Sequence, residues 1–175
     1  MLQIINQQEA SIIQEHFKHY GEATDYNRDW RKVQQKLTEH QVAIEFSHFR
    51  YYNSREKTDS IIYVAYLMRR AWKEPKMVYL FEENELKSLL DQRSPNQLYS
   101  SRGALVKNMA GLCLDSLYSL IWSKIMPSLE GVNTIYYAPD GMLHQISFAA
   151  LGDSTGTLIH KYELVQLSST YMLHK

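Results

Sequence analysis

One cysteine, Cys113, and seven histidines are the side chains from which nucleophilic or metal chemistry would have to be assembled in this chain. A cysteine nucleophile needs thiolate character, a neighbouring histidine and access to substrate. Cys113 stands in Gly111-Leu112-Cys113-Leu114, on or beside the apolar stripe of an expected helix, with no cationic residue next to it. It reads as a small core hydrophobe. The histidines show no metal spacing. His16 is followed by Tyr20 at i+4, His40 and His48 fall at a strand boundary and on a strand, and neither HExxH nor CxxC occurs. Ser147 and Ser154 lack the GxSxG context of a serine nucleophile and read as a turn and a loop residue. Ser101-Arg102-Gly103 offers a single glycine before a helix, too little for a phosphate cradle. No catalytic residue, cofactor-binding residue or metal ligand is therefore assigned, and no cofactor is expected.

Two further places carry polar groups in informative contexts. In Val42-Ala43-Ile44-Glu45-Phe46 apolar side chains alternate with small or charged ones, so Glu45 faces away from Val42, Ile44 and Phe46. A solvent-facing carboxylate is the simplest reading; if that face is covered, Arg69 or Arg70 would be the expected partner. In the stretch from Tyr137 to Leu151, Pro139-Asp140-Gly141 forms a turn, Pro139 fixing φ and Gly141 tolerating positive φ. Leu143, Ile146, Phe148 and Leu151 then make an apolar foot that plugs back into the core. His144 has no nucleophile beside it and reads as a surface turn histidine.

These residues need elements to hold them. An opening helix carries Ile4, Ile5, Ile12, Ile13, Phe17 and Tyr20 and ends at Gly21, and a second runs from about Arg28 to Thr38 with Trp30, Val33 and Leu37 on one face. After the strand at 42–46 the phase slips, because Phe49 and Tyr51 take the opposite parity, which predicts a bulge or a strand leaving the sheet. Asn53 to Ser60 reads as a polar hairpin loop. Ile61 to Met68 is apolar at both parities, a central strand covered on both faces. Met77 to Phe81 is the third strand of an antiparallel meander. A helix begins near Asn84 and ends at Ser94-Pro95-Asn96. A long helix comes next, from about Ser101 to Met126, its stripe marked by Leu105, Met109, Leu112, Cys113, Leu117, Leu120, Ile121 and Ile125, and Pro127 stops it. Thr134 to Ala138 is a fourth strand, and Thr157 to His160 and Tyr162 to Leu167 read as two more.

Composition fits one α/β unit. The 175 residues are 45% apolar and carry 19 basic and 19 acidic side chains. That balance removes any general pull toward nucleic acid or anionic membrane. The basic residues Arg55, Lys57, Arg69, Arg70 and Lys73 have acidic residues interleaved. Thirteen tyrosines suit half-buried strands. One cysteine is ordinary for a reducing compartment, Met1 to Gln8 lack the features of a signal peptide, and no apolar run is long enough to span a bilayer. A cytoplasmic protein is expected.

The ordered series Val42-Ala43-Ile44-Glu45-Phe46, Tyr63 to Leu67, Met77 to Leu80, Ile121-Trp122 and Ile135-Tyr136-Tyr137-Ala138-Pro139-Asp140-Gly141-x-Leu143-x-x-Ile146-x-Phe148-Ala149-Ala150-Leu151 resembles the CHAT domain. This is a caspase-like domain of bacteria, often found behind tetratricopeptide repeats and related to caspases and separase. Leu158, Tyr162-Glu163-Leu164-Val165 and Ser169 resemble that family's next two short strands and its serine-bearing segment. The resemblance covers residues 28–175 as the N-terminal part of such a domain, with residues 1–27 compatible with the end of an upstream helical repeat. It implies a caspase-like three-layer sandwich, present in part, with an antiparallel N-terminal meander in a mixed sheet and covering helices. Ser147 and Ser168 stand where the family usually has proline, which affects loop stiffness. The family's His-Gly and cysteine motifs have no counterpart here, His174 being succeeded by Lys175. The resemblance thus implies a scaffold portion of a cysteine endopeptidase, inactive alone, with the repeats or the remaining CHAT segment as protein partners. The alternative is a non-catalytic interaction module.

Overall fold

The alternation of Val42, Ile44 and Phe46 against Ala43 and Glu45 becomes the central strand of a five-stranded mixed sheet. The computed structural model describes residues 29–53, 56–91 and 114–174. The expected opening helix, the Ser94-Pro95-Asn96 stop, Ser101-Arg102-Gly103 and the first part of the long helix lie outside the described residues. Strands β1 (Gln41–Asn53), β2 (Glu56–Arg69) and β3 (Lys76–Glu82) form the expected antiparallel meander. Strand β4 (Thr134–Ala138) pairs parallel with β1, pairing Val42 with Ile135 and Glu45 with Ala138. The sheet order is β3-β2-β1-β4-β7, β7 being Glu163–Gln166, parallel to β4. Between them, β5 (Gly152–Asp153) and β6 (Gly156–Thr157) make a separate two-residue ribbon.

Both faces of the sheet are covered, as apolar residues at both parities of β2 require. On one face Val42, Ile44, Phe46, Tyr63, Ala65, Leu67 and Ile135 pack with Leu86 of helix α2 (Glu83–Asp91) and with Leu117 and Ile121 of helix α3, described over 114–121. The foot predicted after the turn seats Leu143, Phe148 and Leu151 in the same core. Phe148 contacts Phe46, Trp122 and Tyr137, with ring centroids 5.3, 5.9 and 4.8 Å apart. On the opposite face helix α1 (Trp30–Lys36) sets Val33, with Leu37 just beyond it, on Ala43 and Met68, where Trp30, Tyr136, Tyr171 and Leu173 join them. Asp29 caps α1 by accepting from the Arg31 N–H at 3.0 Å. Gln34 fastens the helix to the turn after β2, donating to the carbonyls of Arg69 (3.1 Å) and Trp72 (2.5 Å).

Four expectations are corrected. The β1 phase does not slip after Phe46: His48 continues the inner parity and stacks on Tyr63, and the register shift comes only between Arg50 and Tyr52. Phe49 and Tyr51 are exposed because β1 has by then run past the end of β4, so the expected departure from the sheet and the bulge are both present, only later than Phe46. Of the expected loop from Asn53 to Ser60, the described residues 53 and 56–60 are strand. Asn53 pairs with Glu56, so the polar residues of early β2 continue the antiparallel pairing with β1.

The long helix ends at residue 121, not at Met126. Proline disfavours the α conformation in the residue before it. The bonding ahead of Pro127 turns irregular instead: Ser123 N–H reaches five residues back to the Tyr118 carbonyl, Ile125 N–H three back to that of Trp122, and a 3₁₀ turn closes the segment at Met126–Ser128. Thr157 to His160 is not a strand; helix α4 spans Leu158–Lys161, burying Leu158 and exposing Ile159. Its first N–H is taken by the carbonyl of Leu151, which ties the helix to the foot.

Candidate functional site

Parallel strands of an open α/β sheet present their carboxyl ends at one edge, the usual location of a site. In this chain β4 delivers Pro139-Asp140-Gly141 to that edge, beside the stretch of β1 that has outrun it. Asp140 is the hub of the turn. Its Oδ1 accepts from Gly141 N at 2.8 Å, while Oδ2 accepts from His48 N at 3.0 Å and lies 2.7 Å from His48 Nδ1. Partial burial works to raise the Asp140 carboxyl, but the hydrogen bonds from the His48 ring and backbone, the His48 charge and the Gly141 N–H together hold it below the usual range. With Nδ1 facing a carboxylate, Nδ1 carries a ring proton and donates it to Asp140 Oδ2.

Tyr63 lies beneath this pair. Its ring is stacked between His48 and Phe81, at centroid distances of 5.3 and 4.9 Å. Its hydroxyl accepts from Met142 N at 3.0 Å and donates to Glu83 Oε2 at 3.3 Å, and Glu83 Oε1 meets Lys87 Nζ at 2.5 Å. Burial pushes the phenol upward; the Met142 N–H opposes that, and the nearby Glu83 and Asp140 charges add to it. Gly141 has φ +54°, and a Cβ there would run into the Tyr63 hydroxyl and press on His48 Nδ1. Only glycine fits this turn without displacing the network.

The arrangement has a base and its orienting carboxylate, two members of a nucleophile-activating set. Among the described residues no serine, threonine or cysteine side chain bonds His48, and the pair fixes the turn against β1. Cys113 lies outside the described residues. Ser147 is exposed before the turn Phe148–Ala150, and Ser154 is exposed at the β5–β6 turn, as expected for turn and loop residues. His144 is exposed in the 3₁₀ turn Gly141–Gln145. Among the described residues no cluster of three or more His, Cys, Asp or Glu is placed to hold a metal. No described helix is long and apolar enough to cross a membrane.

Glu45 departs from both expectations for it. It is half-buried, and its partner is neither Arg69 nor Arg70. Glu45 Oε2 accepts the N–H of Thr170 at 2.7 Å and its hydroxyl at 2.5 Å, capping the 3₁₀ turn Thr170–His174. Arg69 donates to the carbonyls of Glu39 and Glu130, and Arg70 to that of Gln35. The His48–Asp140 pair, which joins residues 92 apart, is not among the sequence-based expectations. Its one available signal is parity: His48 occupies the inner position that comes after Val42, Ile44 and Phe46. Compared with models of known families, with curated proteins and with solved structures, the chain matches none of them.

Proposed function

We propose that residues 28–175 form the N-terminal scaffold of a CHAT-type, caspase-like cysteine endopeptidase and hold no catalytic dyad of their own. The observation that carries this reading is the unit made by β4, the Asp140-Gly141 turn and the buried foot of Leu143, Phe148 and Leu151. It coincides with the most specific stretch of the family resemblance. A mixed sheet with helices on both faces and β1, β4 and β7 parallel agrees with it. In this reading the scaffold carries strand ends that aim a histidine and a cysteine supplied by further chain, the protein is cytoplasmic, and its partners are proteins: the rest of the domain or helical repeats. No cofactor takes part. The test is to read the gene beyond Lys175 and express the product. An in-frame strand-terminal His-Gly and a later cysteine, with peptidase activity lost on changing that cysteine, is the expected result; their absence sinks the reading.

A second reading, a non-catalytic interaction module, is favoured by β7. This strand is four residues long, exposes Glu163 and Gln166, and among the described strands pairs only with β4. Short polar edges resist strand addition. Strong amide protection of Glu163–Gln166 in a monomer would support the module; rapid exchange there would support the scaffold.

A further inference from the structure

The sheet face away from the His48–Asp140 pair holds a cavity of about 340 Å³, within the range of small-ligand sites. Three aromatic side chains from three elements line it: Trp30 of α1, Tyr66 of β2 and Tyr171 of the C-terminal turn, with Met68 beside them. Glu45 is the one formally charged side chain in the lining. Both donors that Glu45 receives come from Thr170 and are neutral, and among the described residues it forms no ion pair. A carboxylate set against an apolar wall without a cation leaves negative potential in the cavity. Aromatic ring faces carry negative potential as well, and the Tyr171 ring is stacked on His174 with centroids 5.5 Å apart.

A metal ion would find Glu45 as its one anionic ligand, the other side-chain oxygens of the lining being the neutral hydroxyls of Ser169, Thr170, Tyr66 and Tyr171. A primary ammonium would bring three N–H donors to a wall that is mostly carbon. A quaternary ammonium brings a diffuse charge, methyl groups and no donor, and aromatic rings around a carboxylate suit it. Arg31 lies 4.5 Å over the Trp30 ring, so one face of this indole is taken and a ligand must use the remaining lining. We propose that the cavity binds a trimethylammonium group, whether on a small molecule or on a methylated lysine side chain. The proposal does not depend on the peptidase reading.

The test is a titration of the full chain with choline, with its neutral isostere 3,3-dimethylbutanol, and with a short peptide bearing trimethyllysine, monitored by NMR at the Trp30 indole. Glu45→Gln keeps an oxygen acceptor for Thr170 while removing the charge. Tyr66 is 41% exposed, so Tyr66→Leu removes one wall at little risk to the fold. The expected result is saturable binding of choline or the peptide, the tighter of the two naming the source. The isostere and Glu45→Gln should each bind about tenfold more weakly, and Tyr66→Leu several-fold more weakly. Equal binding of the isostere, undiminished affinity in a folded Glu45→Gln or Tyr66→Leu variant, or no saturation by about 50 mM of either cation would overturn the proposal.

Discussion

His48 Nδ1 stands 2.7 Å from Asp140 Oδ2, and the same oxygen also accepts the His48 backbone N–H. One carboxylate thereby fixes both the ring and the strand of a residue on β1 to the turn that leaves β4.

The pair gives stability a defined pH dependence. Because the Asp140 carboxyl is held low in the folded chain, its contribution is present above the unfolded aspartate value of about 3.9 and is lost as pH falls through the folded value. Both side chains are more than a third exposed, so solvent screening keeps the contribution below about 1 kcal/mol. Asp140→Asn should lower stability near neutral pH and differ little from the parent in strong acid. Urea unfolding at a series of pH values measures this; a gap that widens in acid would be the wrong sign.

Gly141 tests the turn from the other side. Gly141→Ala puts a methyl group against the Tyr63 hydroxyl in a backbone region that L residues rarely adopt. Destabilisation of about 1–3 kcal/mol is expected from strain of this kind. Gly131 also has positive φ but faces open space, so Gly131→Ala should cost less. Thermal unfolding of the two variants gives the ranking directly.

Phe148 is the plug of the foot. It is buried against Phe46, Trp122 and Tyr137, and Phe148→Ala should cost about 3–5 kcal/mol, with Phe148→Leu much milder. Equal losses for the two substitutions would mean that volume at this site does not set stability.

Much of this architecture is legible from side-chain period. The meander, β4, the turn and the foot are encoded in the alternation of 42–46, the two-sided apolar run of β2 and the Pro139-Asp140-Gly141 sequence. Features that depend on where neighbouring strands stop are not legible in this way. Early β2 pairs with the part of β1 that lies beyond the end of β4, and its polar composition imitates a loop. Leu158 and Ile159 are adjacent aliphatics with opposite burial, and a short stretch cannot reveal that the Leu151 carbonyl starts a helix there. The candidate site is the least legible part. His48 meets Asp140, and Glu45 meets Thr170, across sequence separations of 92 and 125 that no local pattern encodes.

Thr170 shows what such a distant contact is worth. Replacing it by Val removes the hydroxyl donor to Glu45 Oε2 and keeps the backbone one. A hydrogen bond to a charged group contributes about 1.5–3 kcal/mol, so a loss toward the lower end of that range is expected because the remaining N–H still holds the carboxylate. Hydrogen exchange in Thr170–His174 should rise more than exchange in β1; the reverse would place the loosening elsewhere.

The scaffold reading meets its most direct test in covalent labelling with a peptidyl acyloxymethyl ketone, a cysteine-peptidase probe, with the labelled residue located by mass spectrometry. Residues 1–175 alone should stay unlabelled. On the scaffold reading, a gene product that continues past Lys175 should be labelled at a cysteine in that continuation, and Cys113→Ala should leave that labelling intact. Labelling at Cys113 itself, in a folded chain, would contradict the account.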